Sequence, residues 1–394
     1  MAKYSVGMDC SDDDLIGRVC ELLVNGKRAN GFQIAKRGKL SMIESEPFSN
    51  AEFGQNIAEY YFSISLKKLR EIDSDKDKQD EFLTSRLPKI KTSSTVNAVI
   101  IVLELEAGES VLEKDVEYLW DMLSISGNDL IVPPFLSTTG KQDGIAYLEF
   151  VKAFLDVDDP TDGSVVCTVP SYLPHSGISE LMKVYEGHGP NVFMLDFNGR
   201  KPFNSGSEIQ MTKLIREAKK VCGEKFYMYG FDAKPCKQGA EGLLSEELML
   251  SAAGFNAVGP RRTVPSKSRD FIEMMRANPA SPLDVNKVFS PDDYGYHKLR
   301  EADVFTEFQA WLPGVKSLKK ELDLKSPLGK TAADTVRKLS KAFSYSAQLP
   351  EVGEINTRVK EQDLRKHLKT KVLPEEVLPK IDKMKRGISK KRAK

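Results

Sequence analysis

Charged side chains recur where apolar, strand-like segments of this sequence end. Asp196 follows NVFML, Asp232 follows KFYMYGF, and Arg261 and Arg262 close FNAVGPRR. Parallel α/β proteins bind their ligands beyond the carboxyl ends of the strands. We therefore expect these side chains to share one site, in which Asp196 and Asp232 form an acid–base or nucleophile pair.

The same rule brings further polar side chains to this edge of the predicted sheet. They are Glu104, Ser137, Thr138, Thr139, Tyr172, His175, Asn198, Arg200 and Lys234. Two carboxylates that are close together and partly buried acquire separated pKa values, which suits general acid and base catalysis. We predict Asp196, Asp232 and His175 as catalytic residues. The alternative is that strand-end Asp and Asn side chains only cap the next helix or turn.

Basic residues beside these positions predict an anion site. Asn198-Gly199 is a turn dipeptide from which Arg200 projects, and Arg261 and Arg262 follow the last strand. Arginine binds phosphate and carboxylate through paired N–H donors. Arg200, Arg261 and Arg262 are thus predicted to bind an anion, with surface solubility as the alternative.

Metal and nucleotide motifs are weakly represented. No two of the four histidines have i, i+4 spacing, and no cysteines form a CxxC pair, so we predict no metal site and leave the cofactor open. STTGKQDG and SPLGKTAAD contain Gly-Lys. Neither has the first glycine of a Walker A loop.

Strand-like and helix-like segments alternate between Val96 and Arg262. The strand-like ones are VNAVIIVLELE, DLIVPPFLS, GSVVCTVPSYL, NVFMLDFNG, KFYMYGFD and FNAVGPRR. Such alternation is typical of right-handed crossovers in a parallel sheet. We predict an α/β protein with a parallel (β/α) barrel of the TIM type, complete or irregular. A six-stranded doubly wound sheet is the alternative, although no GxGxxG follows any strand.

We divide the chain into four parts. They are an α+β N-terminal region (1–95), the barrel core (96–280), a helical extension (281–357) and a basic C-terminal tail (358–394). In the first part, the residues after SVGMD and the segment IAEYYFSISLKKLREI predict helices. Missing barrel strands are expected around SVGMD or GFQIA, or beyond Arg262.

Charge is distributed unevenly along the chain. Arg358 to Lys394 contains 14 Lys and Arg against 5 Asp and Glu, a net charge of +9, while the whole chain carries +1 and the first 357 residues therefore −8. A basic tail of this kind suits RNA or a ribosome better than a membrane, because it has few bulky apolar residues. The predicted RNA-binding residues are Arg365, Lys366, Lys369, Lys371, Lys383, Lys385, Arg386, Lys390, Lys391 and Arg392.

The bulk composition is that of a globular protein. Of the 394 residues, 40% are hydrophobic and 29% charged, and no run of about 18 apolar residues predicts a membrane span. The five cysteines are scattered, and the first residues lack the apolar core of a signal peptide. We expect a cytoplasmic protein with reduced thiols.

Residues 229–234 and 245–262, YGFDAK and SEELMLSAAGFNAVGPRR, resemble the last barrel strands of the tRNA-guanine transglycosylase superfamily. There, too, a glycine-bearing strand is followed by a short helix and a further strand. The resemblance implies an RNA partner and a place in tRNA modification. The family's zinc-binding Cys/His cluster and glycine-rich base-binding loops are missing, so no residue role is carried over.

Three functions are consistent with these observations. The first is a cytoplasmic barrel enzyme, or former enzyme, that contacts RNA or the ribosome through its tail. The second is a small-molecule enzyme of the lyase, aldolase or hydrolase type, with a ligand in the barrel mouth and an incidental tail. The third is a non-catalytic scaffold, and fold alone does not separate the three.

Overall fold

The protein is a mixed α/β chain with two parallel sheets. The computed structural model describes residues 4–37, 57–86, 98–106, 110–125, 130–137, 144–157, 165–234, 236–238, 242–259, 262, 286–299, 301–311, 330–371 and 377–389. Its strands are β1 Tyr4–Ser11, β2 Arg18–Val24, β3 Lys27–Asn30, β4 Gln33–Ile34, β5 Lys36–Arg37, β6 Ile57–Ser65, β7 Ala98–Glu106, β8 Phe135–Ser137, β9 Cys167–Val169, β10 Val192–Asp196, β11 Tyr227–Phe231, β12 Cys236–Gln238, β13 Gly242–Leu244, β14 Ala257–Val258, β15 Lys287–Ser290 and β16 Gly295–Lys298. Its helices are α1 Leu66–Asp73, α2 Lys76–Arg86, α3 Glu113–Ile125, α4 Gly144–Asp156, α5 His175–Glu186, α6 Ser205–Cys222, α7 Glu246–Met249, α8 Ala302–Trp311, α9 Lys330–Lys360, α10 Leu364–Leu368 and α11 Val377–Ser389.

The strands of the two parallel sheets have the orders β5-β6-β7-β8 and β4-β14-β11-β10-β9. The predicted parallel α/β architecture is confirmed, but regular pairing of the described strands gives two sheets and not one closed barrel. The sheets adjoin at both edges. Ala35, between β4 and β5, donates its N–H to Val258 O at 2.8 Å, and Ile131 forms an isolated parallel bridge with Val165.

Strands of these sheets are buried on both faces. Along β10, Val192 and Met194 belong to an inner cluster, whereas Phe193 and Leu195 belong to a second cluster that includes the helices. Burial on two sides explains the continuous apolar runs of the sequence, because neither face of the strand requires polar residues.

The helices between the parallel strands pack against one another in chain order. Contacts join α1 to α3, α3 to α4, α4 to α5, α5 to α6, and α6 to α11. The longest of the crossover helices, α6, begins where the Asn204 side chain accepts the N–H groups of Gly206 and Ser207. It ends at Gly223, whose φ of 63° stops the helix.

The N-terminal sheet β1-β2-β3 is antiparallel and covers the amino ends of the parallel strands. Tyr4 Oη donates to Val165 O at 3.2 Å, and Arg18 donates to Phe226 O, also at 3.2 Å. The helix predicted after SVGMD is wrong, because Arg18–Val24 is strand β2. It turns into β3 through Asn25 and Gly26, whose φ values of 48° and 78° suit a tight hairpin.

The helix predicted for IAEYYFSISLKKLREI begins only at Leu66. Its first half is β6, which pairs in parallel with β7 along its whole length. The boundary predicted at residue 95 therefore falls between two adjacent strands of one sheet. GFQIA supplies β4, as one of the expected alternatives allowed.

The region predicted as a helical extension also contains strands. β15 and β16 form an antiparallel hairpin that continues through β13 to β12. Helix α9 packs on β15, where Ser344 Oγ accepts the N–H of Phe289 at 3.1 Å. Among the described helices, none combines the length and apolar character needed to cross a membrane.

Candidate functional site

The Arg262 guanidinium lies among three carboxylates that come from three different strands. Nη1 forms an ion pair with Glu104 of β7, and Nη2 is 3.5 Å from Oδ1 of Asp196, the last residue of β10. Nε lies 3.0 Å from Oδ2 of Asp232, without the alignment of a hydrogen bond. All four side chains lie at or just beyond the carboxyl ends of parallel strands. We call them the carboxylate cluster.

Two tyrosines border the carboxylate cluster. Tyr61 of β6 donates its hydroxyl to Glu104, and the Arg262 guanidinium lies 4.9 Å from the centre of its ring. Burial and the contact with Glu104 raise the pKa of Tyr61 to about 12. The hydroxyl of Tyr172 is buried and has no hydrogen-bond partner among the described residues. Burial, and then the nearby Asp196 and Glu104 carboxylates, raise the pKa of Tyr172.

Asp196 is the carboxyl group best placed to exchange protons near neutral pH. It is 6% exposed, and burial raises its pKa to about 7 although Arg262 and the N–H of Asn198 favour the charged form. The neighbouring carboxylates of Asp232 and Glu104 raise the pKa further. Burial lowers the pKa of Arg262, but Asp196, Asp232 and Glu104 together raise it above its ordinary value, so the guanidinium stays charged.

Backbone hydrogen bonds extend the β10–β11 pairing into the loops that carry Asp196 and Asp232. Phe197 N donates to Phe231 O at 2.9 Å, and Gly199 N donates to Asp232 O at 3.0 Å. Asp232 has a φ of 54°, a left-handed conformation that costs a non-glycine residue free energy. Its Oδ1 accepts the N–H of Arg262 at 2.5 Å, which holds that conformation in place. The two carboxyl groups are thus fixed by backbone and not only by side-chain packing.

The predicted pair Asp196 and Asp232 is brought together, and Glu104 joins it. His175 is not part of the carboxylate cluster: it is exposed at the start of α5. Arg200 is also exposed and donates to Ser171 O at 3.3 Å. Of the other candidates, Arg261, Thr138 and Thr139 lie outside the described residues.

The role predicted for Arg262 as an anion anchor needs correction. Its nitrogens face Glu104, Asp196, Asp232 and the side-chain oxygen of Asn198, the last at 3.4 Å. The guanidinium therefore serves as the counter-ion of the carboxylates. An anionic ligand would have to displace one of them.

Several predicted RNA-binding residues take part in contacts within the protein. Arg365 pairs with Asp14 and Asp382, Lys371 is 3.2 Å from Glu351, and Lys385 donates to Asp13 O. The exposed members without an ion pair among the described residues are Lys366, Lys369, Lys383 and Arg386. Lys390, Lys391 and Arg392 lie outside the described residues. RNA contact through this segment stays a prediction.

The scarcity of apolar residues in Lys383–Lys394 predicts a mobile segment. In the structure, Lys383 to Ser389 form the second half of α11, and residues 390–394 lie outside the described residues. Val377, Ile381 and Met384 of this helix are buried, and the helix packs on α6. The apolar residues that anchor the helix stand between the charged ones at helical spacing, which net charge does not reveal.

Tyr61 is a site residue that the sequence pattern does not indicate, because its segment predicts a helix. A further buried pair on the same strands escapes prediction for the same reason. Tyr229 of β11 donates to the Glu59 carboxylate of β6 at 2.5 Å. A side chain at Gly259 would collide with Glu59, since its Cβ would stand 1.9 Å from Oε2.

The carboxylate cluster is suited to proton transfer. It holds one carboxyl group that titrates near neutrality, two further carboxylates and a permanent cation, and a buried hydroxyl borders it. Within the described part of the chain, no group of three His, Cys, Asp or Glu has the arrangement of a metal site.

Comparisons with known proteins give limited similarity. No family model and no curated protein matches this chain. Among solved structures, the chain is similar to the YdjI aldolase from Escherichia coli K12, at 11% identity and a TM-score of 0.37, over 83% of this chain and 93% of that one. It is also similar to a phosphonopyruvate hydrolase in complex with oxalate and Mg²⁺, at 12% identity and a TM-score of 0.34, over 80% and 94% of the two chains. At such scores we interpret the site from its own geometry.

Proposed function

We propose that this chain is an enzyme that transfers protons on a small polar molecule, of the lyase, aldolase or hydrolase type. One observation carries the proposal: the buried Asp196 carboxyl group, with a pKa of about 7, meets Asp232 and Glu104 at a single guanidinium. General acid–base catalysis is most effective when the pKa of the catalytic group lies near the working pH.

The scaffold in this proposal is an irregular barrel of eight parallel strands. Residues 33–37 act as one strand, because β4 pairs with β14 and β5 pairs with β6. The bridge between Ile131 and Val165 supports closure on the opposite side. The carboxylate cluster then occupies the barrel mouth, where enzymes of this architecture hold their active sites.

The residues of the carboxylate cluster and the neighbouring Tyr172 have the following roles in this proposal. Asp196 accepts a proton from the substrate and returns it to the product. Tyr172, whose hydroxyl has no described partner, donates a hydrogen bond to a substrate oxygen. Asp232 and Glu104 bind Arg262. Its positive charge reduces the repulsion between the carboxylates and so keeps them close together.

Charge restricts the substrate class. With Asp196 protonated, two carboxylates face one guanidinium, so the site carries a net negative charge. A molecule that presents hydroxyl or amino donors fits this site better than a polyanion. The proposal thus favours hydroxylated or amine-bearing small molecules.

Deuterium exchange with mixtures of candidate substrates tests the proposal. Pools of hydroxy acids, polyols and amino alcohols are incubated with the protein in D₂O, and mass spectrometry detects cleavage or deuterium incorporation. We expect Asp196→Asn to reduce the activity found by about 10²–10⁴-fold. Asp121→Asn removes an exposed carboxylate of α3 and is the matched control, with no change expected. Equal activity of Asp196→Asn and the wild-type protein would refute the role of Asp196.

A further inference from the structure

A groove runs between the outer helices α5, α6 and α11, away from the carboxylate cluster. It encloses about 690 Å³, a volume within the range of about 300–1,000 Å³ typical of small-molecule sites. Its lining includes His175, Ile209, Arg216, Lys383, Met384 and Arg386. It shares no residue with the carboxylate cluster, so a ligand in this groove is independent of the proposed enzymatic function.

The groove combines an apolar surface with an excess of positive charge. Ile209 of α6 is 47% exposed and, with Met384, gives the groove its apolar surface. The single carboxylate of the lining, Glu208, lies 3.9 Å from Lys380, and Lys213 pairs with Glu217 at 2.7 Å. Glu208 and Lys213 are thus paired within the protein. The remaining cations of the lining are available to a ligand.

Three cations of the lining have no ion pair among the described residues: Arg216, Lys383 and Arg386. The Nε of Arg216 is buried and has no hydrogen-bond acceptor in the described part of the chain. Arg216 also lines the groove, where an anionic oxygen would compensate the charge of its guanidinium.

The amino end of α5 adds unpaired backbone donors to the same groove. Pro174 precedes this 12-residue helix, and no side chain caps its first N–H groups. His175 and Ser176, the first two residues of the helix, line the groove. Helix amino ends attract anions through these N–H groups and the helix dipole.

We propose that the groove between α5, α6 and α11 binds an organic phosphate with an apolar or aromatic body. The phosphate lies among Arg216, Lys383, Arg386 and the amino end of α5. The body of the ligand packs on Ile209 and Met384. Inorganic phosphate would contact only the cationic part of this groove, and an uncharged nucleoside only the apolar part.

Calorimetric titration of the full chain with adenosine monophosphate as the probe tests this proposal. At low ionic strength we expect the probe to bind at least about tenfold more tightly than inorganic phosphate or adenosine. Lys383→Gln combined with Arg386→Gln should weaken binding by about tenfold or more. Ile209→Glu, a change at an exposed position, should have a similar effect with the fold intact, as monitored by circular dichroism.

The matched control removes two charges from the same basic segment outside the groove. Lys366 and Lys369 are exposed and do not line it, so Lys366→Gln combined with Lys369→Gln should leave the probe's affinity unchanged. Equal losses in the two double variants would show nonspecific attraction and overturn the proposal. Absent binding of the probe, or binding of single-stranded RNA alone, would overturn it as well.

Discussion

Arg262 holds Asp232 at two points. Its backbone N–H donates to Asp232 Oδ1 at 2.5 Å, and its Nε lies 3.0 Å from Asp232 Oδ2. Since Asp232 has a φ of 54°, the pair fixes a strained residue immediately after β11. The carboxylate cluster therefore depends both on its charges and on the backbone conformation of Asp232. A substitution that changes the charges should also change the local fold.

Arg262→Met should destabilise the protein, more strongly at high pH than at low pH. The substitution leaves the buried Asp196 and Asp232 and the partly buried Glu104 without their cation. Loss of one partner of a buried ion pair costs about 3–5 kcal/mol. At pH 5 the Asp196 carboxyl group is protonated, because its pKa is about 7, and the loss shrinks. Urea unfolding of the variant and the wild-type protein at pH 8 and at pH 5 measures the loss in the free energy of unfolding at each pH.

The control for this substitution is Arg28→Met. Arg28 is 66% exposed and lies 3.5 Å from Glu21, so its loss should change the free energy of unfolding by less than about 1 kcal/mol. A loss for Arg262→Met that is as small as that of Arg28→Met would contradict the interpretation of the carboxylate cluster.

Asp196 should make the protein less stable as pH rises. The pKa of Asp196 is about 7 in the folded state, against about 3.9 in an unfolded chain. The folded state therefore binds the extra proton between these values. Stability is greatest below the unfolded pKa and falls as pH rises through about 7. The full effect is of the order of 4 kcal/mol at most, from about 1.4 kcal/mol for each pKa unit.

Asp196→Asn should remove most of this pH dependence while keeping an acceptor for the N–H of Asn198. The variant is expected to match or exceed the stability of the wild-type protein at pH 8. Chemical denaturation from pH 4 to pH 8 gives the comparison. If the free energy of unfolding changed with pH in the same way in both proteins, the pKa of Asp196 would not be raised by folding.

The sequence predicts the members of the carboxylate cluster that follow a recognisable strand end. β10 ends at Asp196 and β11 ends just before Asp232, because their apolar runs stop there. Parallel pairing then brings the two carboxyl groups together. Tyr61 could not be placed in this way. β6 is largely buried and runs directly into α1 at Ser65, so the segment has no alternation and shares residues with a helical pattern.

One local signal favours the observed structure over the predicted helix. Asn25-Gly26 directly after the apolar run Arg18–Val24 is typical of a hairpin, and it contradicts the helix predicted for that run. Conversely, no local pattern predicts that Arg262 faces carboxylates. That arrangement depends on the closeness of β7, β10 and β14, which are far apart in sequence.

Arg18→Met should be strongly destabilising although no carboxylate pairs with Arg18 among the described residues. Its buried guanidinium donates to Phe226 O, Gly254 O and Asn256 Oδ1, and it stacks 3.7 Å from the centre of the Phe226 ring. These contacts join the N-terminal sheet to the amino ends of the parallel strands. Because buried carbonyl groups would lose their donors, we expect a loss of about 3 kcal/mol or more. Thermal denaturation of Arg18→Met and of Arg28→Met tests this prediction. Similar midpoints for the two variants would contradict it.

Ile381→Ala should loosen α11 from α6. Ile381 is fully buried, and truncation of a buried isoleucine to alanine costs about 2–5 kcal/mol. Lys383→Ala, two residues away and exposed, should cost less than about 0.5 kcal/mol. Hydrogen exchange of the α11 amides reports the effect locally. Equal exchange in the two variants would mean that α11 is not held by this contact.

RNA affinity of the basic C-terminal segment should depend on its exposed lysines. Deletion of the segment is a poor test, because the buried residues of α11 would be lost with the charges. We instead expect Lys366→Gln combined with Lys369→Gln to weaken RNA binding and to reduce the slope of log K against log salt by up to about 2. Fluorescence anisotropy with single-stranded RNA at several salt concentrations measures both quantities. An unchanged slope would exclude these two lysines from phosphate contact, and the absence of RNA binding by the wild-type protein would leave the small-molecule enzyme as the sole proposed activity.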